Sequence, residues 1–205
     1  MDPWLLNAAR RAIGFMPNDE GIALYEAALE AAERGPLLEI GSYCGKSTLY
    51  LGAAARAHDT VVFSIDHHRG SEEHQPGEEF HDPALADSQG RVDTLTMFRA
   101  TIEQADLADV VVAIVANSRV AAKAWATPLA MVFIDGGHSS EAARADYEGW
   151  TPHLVPGGLL VIHDVFADPA EGGRPPYEIY RNALGSGEYR ESAAKGSLRV
   201  LRRVG

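Results

Sequence analysis

The sequence predicts an α/β fold built on an open, doubly wound, mostly parallel sheet, and three observations carry that prediction. The apolar run Leu37-Leu38-Glu39-Ile40 passes through Gly41 and Gly45 into the helix-like segment Ser47 to Ala55, giving strand, glycine turn and helix. The next apolar run, Val61 to Ile65, ends in an acid, Asp66, 21 positions after Gly45. Two later runs, Ala130 to Ile134 and Leu159 to Ile162, are apolar without alternation, the pattern of central parallel strands buried on both faces.

At 205 residues the chain is long enough for one well-buried domain and short for two, and 46% hydrophobic with 23% charged residues is ordinary globular composition. A formal charge of -11 and the lack of a basic stripe argue against a nucleic-acid partner, whose affinity rests on clustered Lys and Arg. The single cysteine, Cys44, excludes an intrachain disulfide. With no apolar run of membrane-spanning length and no signal-peptide layout at the start, the expected location is the cytoplasm.

In chain order, residues 3 to 14 are amphipathic, and residues 19 to 34 place Ile22, Tyr25, Leu29 and Ala32 at helical spacing until Gly35 and Pro36 stop the helix. Residues 1–35 thus read as an N-terminal helical segment and 36–205 as the main domain. After Asp66, a polar stretch over about 67–92 is long for a connection inside a compact domain. Such an insertion is a lid, carries short helices or is disordered, and a lid over a ligand is the preferred reading.

A helix is predicted over Thr94 to Ala105, a strand over Val110 to Val115, and a further helix opening at Asn117-Ser118 with Ser118 as its N-cap. The strand Ala130 to Ile134 delivers Asp135, and a helix from Ser139 or Ser140 to Trp150 follows. Pro156-Gly157-Gly158 then turns the chain into Leu159 to Ile162, which delivers His163 and Asp164. A loop with Arg174 and Tyr177, a helix to about Leu184 and a closing hairpin complete the chain.

A strand that enters a helix through glycines lets the backbone pass close under a ligand, with free N–H groups aimed at it. The turn reads E-x-G-x-x-x-G and lacks the G-x-G-x-x-G spacing of a pyrophosphate cradle, which favours a nucleoside without a diphosphate. An acid about 20 residues further on is placed to hold the ribose hydroxyls.

Glu39-x-Gly41-x-x-x-Gly45 with Asp66, followed by Phe133-Ile134-Asp135-Gly136-Gly137-His138 and Pro156-Gly157-Gly158, resembles a class I S-adenosylmethionine (SAM)-dependent methyltransferase over roughly residues 18 to 203. The resemblance implies a Rossmann-like, seven-stranded sheet whose last strand is antiparallel. It implies SAM as cofactor, a small-molecule substrate and cofactor contacts from Glu39, Gly41, Ser42, Gly45, Ser47, Asp66, His67, Asn117, Ser118 and Asp135. The N-terminal helices, in this family, form part of the substrate entrance or a homodimer contact; simple packing on the core is the equal alternative.

Methyl transfer from a sulfonium needs the acceptor held in line and, for a hydroxyl, relieved of its proton. The metal-dependent O-methyltransferases that the chain resembles place one acid after the fourth strand and two oxygen ligands after the fifth. By position these are Asp135, and then His163 with Asp164. The departure is His163, because an imidazole admits Mn2+, Fe2+ or Zn2+ beside Mg2+, or leaves the site without a metal. His138 and Asp135 are the candidate catalytic residues, His138 as general base.

Taken singly, Asp135 and Asp164 could cap helices, and each histidine could be structural. Two other functions stay open on the sequence: a nucleoside-binding protein on this fold without catalysis, and a nicotinamide-dependent oxidoreductase, against which the missing G-x-G-x-x-G speaks. Cys44 reads as a small turn residue, since no base stands beside it.

Overall fold

The computed structural model describes residues 1–78, 80–137 and 139–205, with the backbone alone at residue 73. Its strands are β1 (Leu37–Ile40), β2 (Val62–Asp66), β3 (Val111–Val115), β4 (Leu129–Ile134), β5 (Leu154–Ile162), β6 (Tyr189–Lys195) and β7 (Leu198–Arg203). They form one sheet in the order β3-β2-β1-β4-β5-β7-β6. The first five strands are mutually parallel, and β7 runs antiparallel to both β5 and β6. Chain order reverses between β1 and β4, and a crevice opens there at the strands' carboxyl ends.

The helices are α1 (Pro3–Arg11), α2 (Asn18–Ala32), α3 (Lys46–Ala57), α4 (Leu95–Gln104), α5 (Ser118–Ala122), α6 (Ser140–Trp150) and α7 (Arg174–Gly185). Strand alternation sends Leu37, Val62, Met131 and Phe133 into one apolar layer with α1 to α4. It sends Leu38, Ile40, Val132 and Ile134 into the other, with Trp150, Ile179 and Ala183 of α6 and α7. Both central strands, β1 and β4, are buried along their whole length.

The start of α1 has a local cause. The Asp2 carboxylate accepts hydrogen bonds from the amides of Trp4 and Leu5, and Pro3 occupies the first turn, where its missing N–H costs nothing. Helix α2 buries Leu24, Ala28, Ala31 and Ala32 against α3 and the sheet, so the N-terminal segment is part of the core. The 67–92 insertion carries two single 3-10 turns, Glu72–His74 and Pro83–Leu85, and a bridge between Ala86 and Val92. No helix among the described residues is long and apolar enough to cross a membrane.

Candidate functional site

The crevice at the reversal point is a cleft of about 670 Å3. Its floor is the glycine turn. Gly41, at φ +87°, packs so closely under the β4 end that a Cβ there would lie 2.1 Å from the Asp135 carbonyl oxygen. Gly45, at φ +92°, is the residue before α3 and lets the chain swing into that helix; it is not among the residues that line the cleft.

Asp66 ties this floor together. Its Oδ2 accepts the amides of Ser42 at 3.0 Å and Tyr43 at 2.8 Å, and its Oδ1 accepts the amide of His68 at 2.7 Å. A carboxylate has about four lone-pair positions, so room for one further donor remains on the face toward the cleft. Asp66, His67, Ser42 and Asn117 all line it, as do Ser47 and Ser118.

Glu39 is a correction. The strand alternation that turns Ile40 into the cleft turns Glu39 the other way, toward α3, where it is wholly buried and lines no part of the cleft. Its carboxylate takes the hydroxyls of Ser47 (2.5 Å), Thr48 (2.6 Å) and Ser64 (2.6 Å). It anchors the first turn of α3 to β1 and β2. For the same reason the Ser47 hydroxyl is already committed.

Burial raises the Glu39 pKa from 4.5 to about 7 against the three hydroxyls, which lower it, with the Asp135 charge adding to the rise. The folded state therefore holds a proton that the unfolded chain has lost above pH 4.5. Stability from this group is full below that pH and falls as pH rises through 7, by about 3 kcal/mol in all. Glu39→Gln should remove that slope. Urea unfolding at pH 5 to 8 is expected to show the wild type losing ground to the variant as pH rises, and parallel curves would contradict the assignment.

The opposite wall is a chain of charged groups. His163, 5% exposed at the end of β5, has Nδ1 3.0 Å from Asp135 Oδ1 and 3.4 Å from Asp164 Oδ1, and Nε2 2.9 Å from Glu20 Oε2. Glu20, from the first turn of α2, also accepts the amide and hydroxyl of Ser197, each at 2.9 Å. Burial disfavours a charged imidazole here, but the Asp135 charge and the hydrogen bonds to Asp135, Asp164 and Glu20 outweigh it and push the pKa up to about 12. His163 is an imidazolium at neutral pH, donating from both nitrogens. Glu20 was invisible in the sequence, being 143 residues away and looking like one more acid at a helix start.

Ser118 is a second correction. The N-cap of α5 is Asn117, whose side chain accepts the Arg119 amide. The Ser118 hydroxyl instead donates to Asp146 Oδ1 at 2.6 Å and accepts Trp150 Nε1–H at 2.7 Å. Asp146 is therefore a cleft residue that sequence reading passed over. Its pKa is pushed up to about 6 by burial, opposed by the Ser118 hydrogen bond.

Across the mouth, Phe15 of the α1–α2 connection meets Tyr43, His74 and Phe80 at ring-centre distances of 5.5, 5.7 and 5.1 Å. Three segments distant in sequence thus roof the cleft with aromatic rings. Arg174 lies 4.2 Å over the Tyr177 ring and donates to the Ala167 carbonyl, and neither residue lines the cleft. His138 lies outside the described residues. Cys44 is buried in the turn, its thiol pushed up to about 12 by burial and by the charges of Asp66 and Asp82.

A methyltransferase-domain family profile matches residues 38–165, more than half of the chain. Among solved structures, the O-methyltransferase NovP superposes with a TM-score of 0.72 at 16% identity, over 98% of this chain and 88% of that one. TomG from Streptomyces achromogenes, an O-methyltransferase involved in tomaymycin synthesis solved with SAM, gives 0.66 at 15% identity over 100% and 91%. A Bacillus cereus O-methyltransferase solved with S-adenosylhomocysteine (SAH) gives 0.64 at 16% identity over 98% and 88%. The strand order, the glycine turn at the reversal point and this match have one conclusion: the chain belongs to the methyltransferase-domain family and carries its Rossmann-like fold.

Proposed function

We propose that the protein transfers a methyl group from SAM to a hydroxyl of a small molecule. The observation that carries the reading is the cleft at the reversal point, with a nucleoside cradle on one side and a cluster of acids on the other. Asp66 is placed to accept a ribose hydroxyl with its remaining lone pair, while the turn it tethers lies beneath the ligand. The apolar walls and aromatic roof exclude water around a sulfonium, and the negative cluster of Asp135 and Asp164 favours its positive charge.

For the acceptor, Asp135 and Asp164 would take the hydrogen bond of the hydroxyl and align its oxygen with the S–CH3 bond. His163 sits between them, its Nδ1 3.0 Å from Asp135 and 3.4 Å from Asp164. The assignment of His138 as general base belongs to this proposal. A net charge of -11 supports an acceptor other than nucleic acid, and the lone buried cysteine suits a cytoplasmic protein.

A divalent cation fits the same cluster. Asp135, His163 and Asp164 offer two oxygens and one nitrogen within 4.8 Å of one another, and Glu20 on Nε2 is the carboxylate that orients a metal-binding histidine. To hold a cation, His163 must give up its Nδ1 proton, which favours metals that accept imidazole over Mg2+. Such an ion, when bound, would supply charge that lowers the pKa of the acceptor hydroxyl.

Calorimetric titration with SAH, with and without Mg2+ or Mn2+, tests the reading. Micromolar binding is expected for the wild type, weakened about 100-fold or lost in Asp66→Ala when thermal unfolding shows that variant folded. A wild type that binds no SAH under any of these conditions would overturn it.

A further inference from the structure

The two edges of the sheet are built differently, and the cleft does not explain why. On one side β6 closes the sheet with Arg190, Glu191 and Lys195 and a break in register between Glu191 and Ala193. Charges and bulges are the usual means by which an edge strand is kept from pairing with another chain. On the other side β3 reads Val111-Val112-Ala113-Ile114-Val115, with no charge, no proline and an unbroken register to β2. Val112 is 39% exposed and Val115 52%, on opposite faces of the strand, and Val120 of the neighbouring α5 is 60% exposed.

The open backbone of this edge can be assigned residue by residue. The Val110 carbonyl accepts the Val62 N–H, and the Ala116 N–H donates to the Asp66 carbonyl, so the even-numbered residues turn their peptide groups toward β2. Val111, Ala113 and Val115 turn theirs outward. The Val111 N–H is taken by the Leu107 carbonyl. That leaves the Val111 carbonyl and both groups of Ala113 and of Val115 facing away from the sheet, where among the described residues no further strand pairs with β3.

That pattern is self-complementary. Two β3 strands laid antiparallel about Ala113 exchange both Ala113 bonds, and each Val115 N–H meets the Val111 carbonyl of the other copy. Val112 then stands opposite Ile114 of the other copy in a non-hydrogen-bonded pair, where side chains approach most closely. Charge favours the same direction. Asp106 and Asp109 are exposed just before β3, and Arg119 and Lys123 are exposed just after it. Antiparallel pairing sets the acidic end of each strand beside the basic end of its twin, whereas parallel pairing sets like beside like. We propose that the β3 edge is an interaction surface for a second copy of this chain, joining the two sheets into one across a two-fold axis at Ala113. The surface is independent of the methyl-transfer reading.

Sedimentation velocity of the whole chain in the micromolar range is expected to show a dimer. Val112→Lys combined with Val115→Lys puts like charges on both faces of the edge, and should raise the dimer dissociation constant at least about 100-fold while the circular dichroism spectrum stays that of the wild type. Ala113→Cys gives a readout that does not depend on the folding of that variant. Oxidation or a short bis-maleimide should link two chains through it, whereas Ser192→Cys on the β6 edge and the wild type, with Cys44 buried, should remain unlinked. A wild type that stays monomeric would overturn the proposal, as would open-ended aggregates in place of a dimer. A dimer that survives both lysines in a folded variant, or that Ala113→Cys fails to link, has its interface elsewhere, and either result overturns the proposal as well.

Discussion

Replacing Glu20 by alanine is expected to destabilise the fold by about 3–5 kcal/mol, the usual cost of leaving a buried charge without its partner. The side chain is an acid near the start of an N-terminal helix, a place where surface substitutions usually change stability by no more than about 0.5 kcal/mol. Here it is buried, closes the Nε2 side of the His163 imidazolium and satisfies both polar groups of Ser197. Its loss orphans three donors from two other regions of the chain. Urea denaturation reads the effect directly. A change under about 1 kcal/mol would mean that the Glu20–His163 contact carries little of the fold.

Gly41→Ala should be the most damaging single methyl in the chain. The added carbon would fall 2.1 Å from the Asp135 carbonyl oxygen, 2.7 Å from its carbon and 2.8 Å from Gly136 Cα, all backbone atoms of the neighbouring strand end. No rotamer change relieves a clash with backbone, so β1 and β4 must part where the cleft is built. Overpacking of about 1–3 kcal/mol adds to about 1–3 kcal/mol for a side chain held at φ +87°. SAH affinity is expected to fall at least about tenfold in whatever remains folded. Gly187→Ala is the matched control: φ is +76° there with no atom within 4 Å of the added carbon, so only backbone strain is felt. Equal melting temperatures for the two variants would contradict the close approach at Gly41.

The architecture was legible because its signals are local. Unbroken apolar runs marked β4 and β5, paired glycines marked the first turn, and the acids at the strand ends lined up once the strands were parallel neighbours. Reading the site by residue type was less successful, because type does not say which way a strand side chain points. Glu39 sits one residue before the cleft and on the wrong side of β1, a difference visible only when Leu37 and Leu38 are assigned to layers. Ser118 looked like a helix cap because serine often is one, yet its neighbour Asn117 caps the helix and frees the hydroxyl for Asp146. Glu20 and Asp146 are polar residues on amphipathic helices, where a solvated face is the ordinary expectation; only packing of α2 and α6 against the sheet turns them inward.

The cysteine in the glycine turn bears on a hazard peculiar to sulfonium chemistry. A methyl donor alkylates good nucleophiles without enzymic help, and a thiolate beneath it would be the first casualty. Cys44 occupies that turn, yet it lines no part of the cleft, and burial with the charges of Asp66 and Asp82 pushes its thiol up to about 12, which disfavours the thiolate at neutral pH. Burial and the two neighbouring acids thus keep the nucleophilic form of this thiol scarce, and Asp66, which fastens the turn, is one of the two.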